Sequence, residues 1–322
     1  MSDSVIWANN LLSRAAEERL VRAVGAKRLI LGEVVSDWPE PEVDHRARDA
    51  DIIFGQPHPT DIIESRGIKW AHISTSGIDR YDNEGVRSAI RHRDAIMTNS
   101  SDVYYDAVAQ HVVAFILADC RQLLFAIEMQ RAGRDAAQME IRRRSRMINE
   151  LNVLIVGYGR IGRRVAELIK PFGANVMSLR RAATKDDLAR AVTQADLPSA
   201  LAAADHVVNI LPDNRSTANF FGSDRFRQMK RGARYYSVGR GVTTDHGALA
   251  DVLNSGWVSA AYLDVTDPEP LPTGHPLRAV SSCFVTPHCA SGHHNEDLRL
   301  VEHFLENLRR FESGATMLNR VV

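Results

Sequence analysis

The chain is short of cysteine, of long apolar runs and of any charge imbalance, and each shortage excludes a class of function. Its three cysteines, Cys120, Cys283 and Cys289, are too few and too irregularly spaced for a disulfide framework or a structural zinc site. No metal centre is expected, and a reducing cytoplasm suits such a chain. Forty basic residues balance forty acidic ones, so no net field draws the protein to nucleic acid or to a membrane surface. No apolar stretch reaches the length that spans a bilayer. Met1-Ser2-Asp3-Ser4 lacks a basic segment followed by an apolar run, so no secretory signal is expected. Residues 133–150 carry Arg142, Arg143, Arg144 and Arg146 without aromatic platforms, and read as a solvated connecting segment. Cys289 follows His288, but neighbours on a strand point to opposite faces, so the thiol reads as incidental rather than as a nucleophile.

What is present is ordinary in bulk and specific in places. With 322 residues, 44% hydrophobic and 25% charged, the chain has room for two globular domains. The most informative stretch begins at Val153-Leu154-Ile155-Val156, a run suited to a strand buried on both faces. It leads into Gly157-Tyr158-Gly159-Arg160-Ile161-Gly162, then a helical pattern over 163–172 ended by Gly173, then a second strand over 175–179. Strand, glycine turn, helix and strand together form a dinucleotide-binding fingerprint, in which a pyrophosphate sits on the helix start. The end of the second strand reads the ribose. An acidic residue there suits NAD, whereas this chain has Arg180 and Arg181 and no carboxylate before Asp186. Guanidinium groups match a 2′-phosphate, so NADP(H) is preferred and NAD(H) remains possible. Two solvated arginines at a strand end are the bland alternative.

Around this unit, strand and helix alternate. Short strands are expected over 4–7, 28–31, 51–54, 70–74 and 95–99, with a helix over 12–24. A helix is expected from Asp102 to about Ala132, bridging two domains, with His111 packed on it rather than acting as a ligand. Beyond the fingerprint come a helix over 196–204, strands over 206–211, 233–238 and 257–265, helices over 226–230 and 245–254, and a strand about Val285. The fold class is α/β, two Rossmann-like domains with doubly wound parallel sheets. Such sheets bind ligands at the carboxyl ends of their strands.

Three residues stand just past strand ends: Arg240, Glu269 and His288. An arginine can hold a carboxylate and polarise a ketone, and a histidine kept protonated by a glutamate can deliver a proton. Singly, each could equally be a surface arginine, a loop carboxylate and a capped strand end. A turn after the strand at 70–74, containing Ser76 and Gly77, could cradle a carboxylate with backbone N–H groups or be an ordinary turn.

Taken as a set, these stretches resemble the D-isomer-specific 2-hydroxyacid dehydrogenase family, which includes glyoxylate/hydroxypyruvate reductases. The matching segments are Gly77-Ile78-Asp79, Val108-Ala109, the glycine motif, Leu211-Pro212 with Thr217, Arg240-Gly241, Ala261-Tyr262-Leu263-Asp264-Val265, Glu269-Pro270-Leu271-Pro272 and Thr286-Pro287-His288. The resemblance implies NAD(P)H-dependent reduction of a small 2-keto acid to a D-2-hydroxy acid. Arg240 would bind substrate, Glu269 would partner His288, and His288 would donate the proton. Asp264 would hold the nicotinamide amide, with Leu211, Pro212, Thr217, Val238 and Gly239 lining the cofactor. Ser76 and Gly77 would bind the substrate carboxylate. It also implies a homodimer and a discontinuous substrate domain: residues 1–101 as its first part, 102–291 as the dinucleotide-binding domain, and 292–322 carrying a last helix back to the first part.

The chain departs from the family pattern at Gln110, Ser237 and Arg180, where glutamate, asparagine and an acidic residue are usual. A dinucleotide-sensing, corepressor-like binding protein on the same fold is the alternative, since fold and site can be kept without turnover. Formate as substrate would lack the second carbon joining a carboxylate to a reducible ketone.

Overall fold

The computed structural model describes residues 4–25, 28–33, 41–134, 138–180 and 188–322. It divides into two compact units, Met1–Tyr104 with Gly292–Val322, and Tyr105–Ser291. In the first unit, β1 (Val5–Ala8), β2 (Arg28–Leu31), β3 (Ile52–Gly55), β4 (Trp70–Ile73) and β5 (Ile96–Thr98) form a parallel sheet in the order β2-β1-β3-β4-β5. Ile6, Ile52, Phe54 and Trp70 enter one core, and Trp7, Ile53, Ala71 and Ile73 another. That alternation is the period of a strand buried on both faces. Helices α1 (Arg14–Val24), α2 (Pro59–Ile63) and α3 (Glu84–His92) connect the strands. Ser13 caps α1 and Asn83 caps α3, each side chain accepting from a first-turn amide.

The boundary between the units falls inside α4 (Ser101–Cys120). The single helix expected to reach about Ala132 is instead two. At Gln122 the backbone is left-handed, with φ 54°, and α5 (Leu123–Arg131) starts anew. Both the backbone N–H and the side-chain amide of Gln122 donate to the Asp119 carbonyl, at 3.0 and 2.7 Å, ending α4 before another turn can form. The arginine-rich connection, expected as a solvated connecting segment, has no buried residue in its helix. It contains α6 (Gln138–Arg144), supported by the Arg144–Glu140 pair and by Arg144 lying 4.5 Å over the Phe125 ring.

The second unit is a parallel sheet of β6 (Asn152–Val156), β7 (Asn175–Leu179), β8 (Arg190–Val192), β9 (His206–Asn209), β10 (Ala233–Ser237), β11 (Val258–Leu263) and β12 (Cys283–Val285). Its order is β12-β11-β10-β9-β6-β7-β8. Helices α7 (Arg160–Ile169), α8 (Leu197–Ala203), α9 (Ser223–Gln228) and α10 (His246–Asn254) cover it. Leu154, Val156 and Tyr235 pack into one core, and Val153, Ile155 and Tyr236 into the other. The chain runs outward from β6 to β8 and then returns to β9 beside β6, so the topological switch lies between β6 and β9.

The last helix, α11 (Glu296–Ser313), belongs to the first unit. Phe304 stacks on Phe54 at 4.1 Å and on Trp70 at 5.1 Å, and Arg19 pairs with Glu302 at 2.6 Å. Among the described residues, no helix is long and apolar enough to cross a membrane.

Candidate active site

At the switch point, β6 runs into Gly157, whose φ of +101° is open to glycine and strained for other residues. A side chain there would also lie 2.6 Å from the Ile210 carbonyl at the end of β9. Gly162 is buried on α7, where a Cβ would sit 2.5 Å from the Gly157 carbonyl and 3.0 Å from Ile155 Cγ2, so helix and strand meet closely. Gly159, by contrast, begins α7 with open space around it. Two glycines enforce contact and the third leaves room at a helix N-terminus, which fits a pyrophosphate approaching the backbone. Ile161 packs into the core, while Arg160 lies exposed with its guanidinium 5.0 Å over the Tyr105 ring.

Arg180 follows β7 directly. Its guanidinium lies 4.1 Å over the Tyr158 ring, Nε donates to Ser178 Oγ at 2.7 Å, and Nη2 donates to the Ala189 carbonyl at 3.1 Å. The cation is thus held over a residue of the glycine turn itself. Arg181 and Asp186 lie outside the described residues.

The loop after β9 presents Leu211 and Pro212. Thr217 is buried, and its hydroxyl bonds the Pro212 carbonyl at 2.6 Å, folding the loop on itself. Val238 and Gly239 follow β10, and a Cβ on Gly239 would run into the Leu211 backbone. Arg240 then donates from Nη1 to the Gly239 carbonyl at 2.8 Å.

Beyond β11 and β12 the geometry tightens. His288 Nδ1 lies 2.6 Å from Glu269 Oε1. That bond raises the His288 pKa above its usual 6.5, with partial burial opposing and the charges of Glu269 and Asp264 assisting, while Arg240 opposes. His288 itself has φ 49°, a left-handed backbone unusual for histidine and frequent at functional sites. Buried Asp264 holds it there. Its carboxylate accepts from Thr286 Oγ1 at 2.6 Å and from the Cys289 and Ala290 amides, both at 2.9 Å, while its carbonyl accepts from the His288 amide at 3.0 Å. His111 packs edge-on to Phe115 and reaches Thr286 Oγ1 at 3.4 Å, so it backs this turn from α4. The Cys289 thiol is exposed and its pKa is raised by burial and by Asp264, which disfavours a thiolate.

Ser76 and Gly77 lie in the first unit, past β4. Four consecutive carbonyls of their turn are tied inward: Ser74 to Tyr104 Oη (2.6 Å), Thr75 to the Ser100 amide (3.0 Å), Ser76 to Asn99 Nδ2 (2.8 Å) and Gly77 to Thr75 Oγ1 (2.7 Å). The amides of Thr75, Ser76, Gly77 and Ile78 donate to no acceptor among the described residues. A turn with its carbonyls fastened and its N–H groups spare is suited to an anion.

The D-isomer specific 2-hydroxyacid dehydrogenase NAD binding domain matches residues 113–290. This chain belongs to that family. It is a nicotinamide-dinucleotide-dependent 2-hydroxyacid dehydrogenase or reductase. The dehydrogenase is 33% identical over 285 residues to an uncharacterized protein of Corynebacterium melassecola, covering 85% of this chain and 89% of that one. It is 32% identical over 237 residues to glyoxylate reductase/hydroxypyruvate reductase of Homo sapiens, covering 72% and 71%. Among solved structures, the TT0316 protein from Thermus thermophilus superposes with a TM-score of 0.82 at 28% identity, covering 98% and 99%.

Residue types alone did not point to the hub role of Asp264, the inward ties of Asn99 and Tyr104, or the loop contacts of Asn209. The one available signal was Asn209, a carboxamide interrupting the apolar run Val207-Val208 to Ile210-Leu211.

Proposed function

We propose that the dehydrogenase reduces a 2-keto acid to a D-2-hydroxy acid, with His288 as proton donor and NADPH preferred over NADH. The observation carrying this reading is the 2.6 Å His288–Glu269 pair, which stands at the same sheet edge as the glycine turn and Arg240. With Nδ1 occupied by Glu269, the proton to be given resides on Nε2, and the raised pKa favours that protonated form. Bound nicotinamide supplies the hydride. Arg240 grips the substrate carboxylate and polarises the ketone oxygen, so that charge developing on that oxygen meets a fixed cation. The spare amides at Ser76 and Gly77 take the carboxylate. Asp264 Oδ2 accepts the Ala290 amide, and a carboxylate oxygen has a second lone pair that can take the nicotinamide carboxamide.

Arg180 reads the 2′-phosphate of NADPH, already stacked on Tyr158 where the ribose end of a dinucleotide lies in this fold. A homodimer is part of the same proposal. None of the α5 residues is buried, and Leu123, Ile127 and nearby Met147 are 50%, 44% and 55% exposed. A reducing cytoplasm is also proposed, supported by three free cysteines.

The deciding experiment is oxidation of NADPH and NADH in parallel with glyoxylate, hydroxypyruvate, pyruvate and phenylpyruvate. Turnover favouring NADPH is expected, and Arg180→Leu should erase about tenfold or more of that preference. Equal use of NADH by the unaltered protein would make Arg180 a structural cation. Tight dinucleotide binding without turnover on any keto acid would replace catalysis by sensing. His288→Asn should lower kcat by about a hundredfold or more, with dinucleotide affinity kept.

A further inference from the structure

Asn209, the last residue of β9, is completely buried. A carboxamide in such a place must satisfy both its oxygen and its nitrogen or forfeit their hydration. Its Oδ1 accepts from the Leu211 amide at 3.2 Å. Its Nδ2 donates to the Tyr235 hydroxyl and to Thr243 Oγ1, both at 2.8 Å, with Thr244 Oγ1 at 3.4 Å. The Thr243 hydroxyl donates onward to the Arg240 carbonyl at 2.7 Å, and Tyr235 Oη and Thr244 Oγ1 lie 2.7 Å apart. One side chain is therefore bonded to the backbone of the dinucleotide loop and, through Thr243, to the backbone of Arg240. A strand end at this place could be apolar, as Val207 and Val208 are; the carboxamide is explained by the two loops it joins.

We infer that Asn209 is a positioning residue, which sets Arg240 against the Leu211 loop and so couples dinucleotide binding to the grip on the keto-acid carboxylate. The inference rests on the role proposed above for Arg240. Asn209 need not touch substrate or cofactor. It acts because a fully bonded, buried polar network has one arrangement, and a shift at either loop is carried to the other.

The test uses the full chain with Thr243→Val, Asn209→Leu, the double variant and Arg240→Gln. Thr243→Val removes the hydroxyl bonded to the Arg240 carbonyl while keeping shape and leaving the Leu211 bond. It should raise the keto-acid KM about tenfold, as expected when a binding group is slightly misplaced. NADPH affinity, read by nucleotide fluorescence, should stay within about twofold, and the pH midpoint of reduction should not move. Asn209→Leu should weaken both keto acid and NADPH, and the double variant should be no worse in KM than Asn209→Leu alone. Three results would overturn the inference: an unchanged KM in Thr243→Val, a parallel loss of NADPH affinity in that variant, or additive losses in the double variant. If Asn209→Leu does not fold, Thr243→Val still decides. An active Arg240→Gln enzyme would remove the role of Arg240 and this inference together. An inactive one beside an unaffected Thr243→Val would remove this inference alone.

Discussion

At the scale of single residues, the proposed chemistry rests on one charge pair and on what holds it. Glu269 raises the His288 pKa, so the imidazolium persists to higher pH than an unpaired histidine would. In the proposed mechanism reduction needs that proton and should fall as pH rises through the raised value. Glu269→Gln removes the charged hydrogen bond that chiefly raises the His288 pKa, and its pH–rate profile should fall off at lower pH. A profile identical to that of the unaltered enzyme would remove Glu269 from the proton's path. Stability follows the same sign: the pair stabilises the folded chain fully below pH 6.5, and that contribution is lost as pH climbs through the folded pKa. Arg240, Glu269 and His288 stood out as candidates in the sequence because they follow strand ends and match the family motifs. Asp264 was legible only as a motif residue, since its partners Thr286, Cys289 and Ala290 lie 22 to 26 positions away.

At the scale of elements, the unit of β6, the glycine turn, α7 and β7 matched expectation because its period and turn chemistry are local. Its weakest point is the contact between α7 and β6. Gly162→Ala places a methyl group 2.5 Å from the Gly157 carbonyl, and backbone cannot give way as a flexible side chain can. Destabilisation of about 1–3 kcal/mol is expected, with weakened dinucleotide binding because the helix N-terminus moves. Thermal unfolding and dinucleotide titration would check both, and normal values for the pair would mean that α7 is free to shift. Other elements escaped the sequence. The three residues of β8 and five of α2 are too short to show a period. The break at Gln122 came from side-chain and backbone bonds to a single carbonyl, where residue types still read as helix.

At the scale of the whole molecule, each unit carries its own doubly wound sheet, and the first is built from both ends of the chain. Phe304 is the residue that makes this return consequential, fully buried and stacked between Phe54 and Trp70. Phe304→Ala should cost about 3–5 kcal/mol, read as a lower urea midpoint for the first unit. A loss below about 1 kcal/mol would mean that α11 is held by its polar contacts, such as Arg19–Glu302 and Ser13–Asp297.

The sequence by itself determined the class of fold, the dinucleotide turn and the family, and placed Arg240, Glu269 and His288 past strand ends, because periodicity, glycine spacing and strand-end position are properties of neighbouring residues. Tertiary structure alone decided which groups hold those residues: Asp264 beneath His288, Asn209 between two loops, Tyr158 under Arg180, and the carbonyls of 74–77 turned inward. A buried donor or acceptor must find a partner, and which partner it finds is set by packing between segments far apart in the chain.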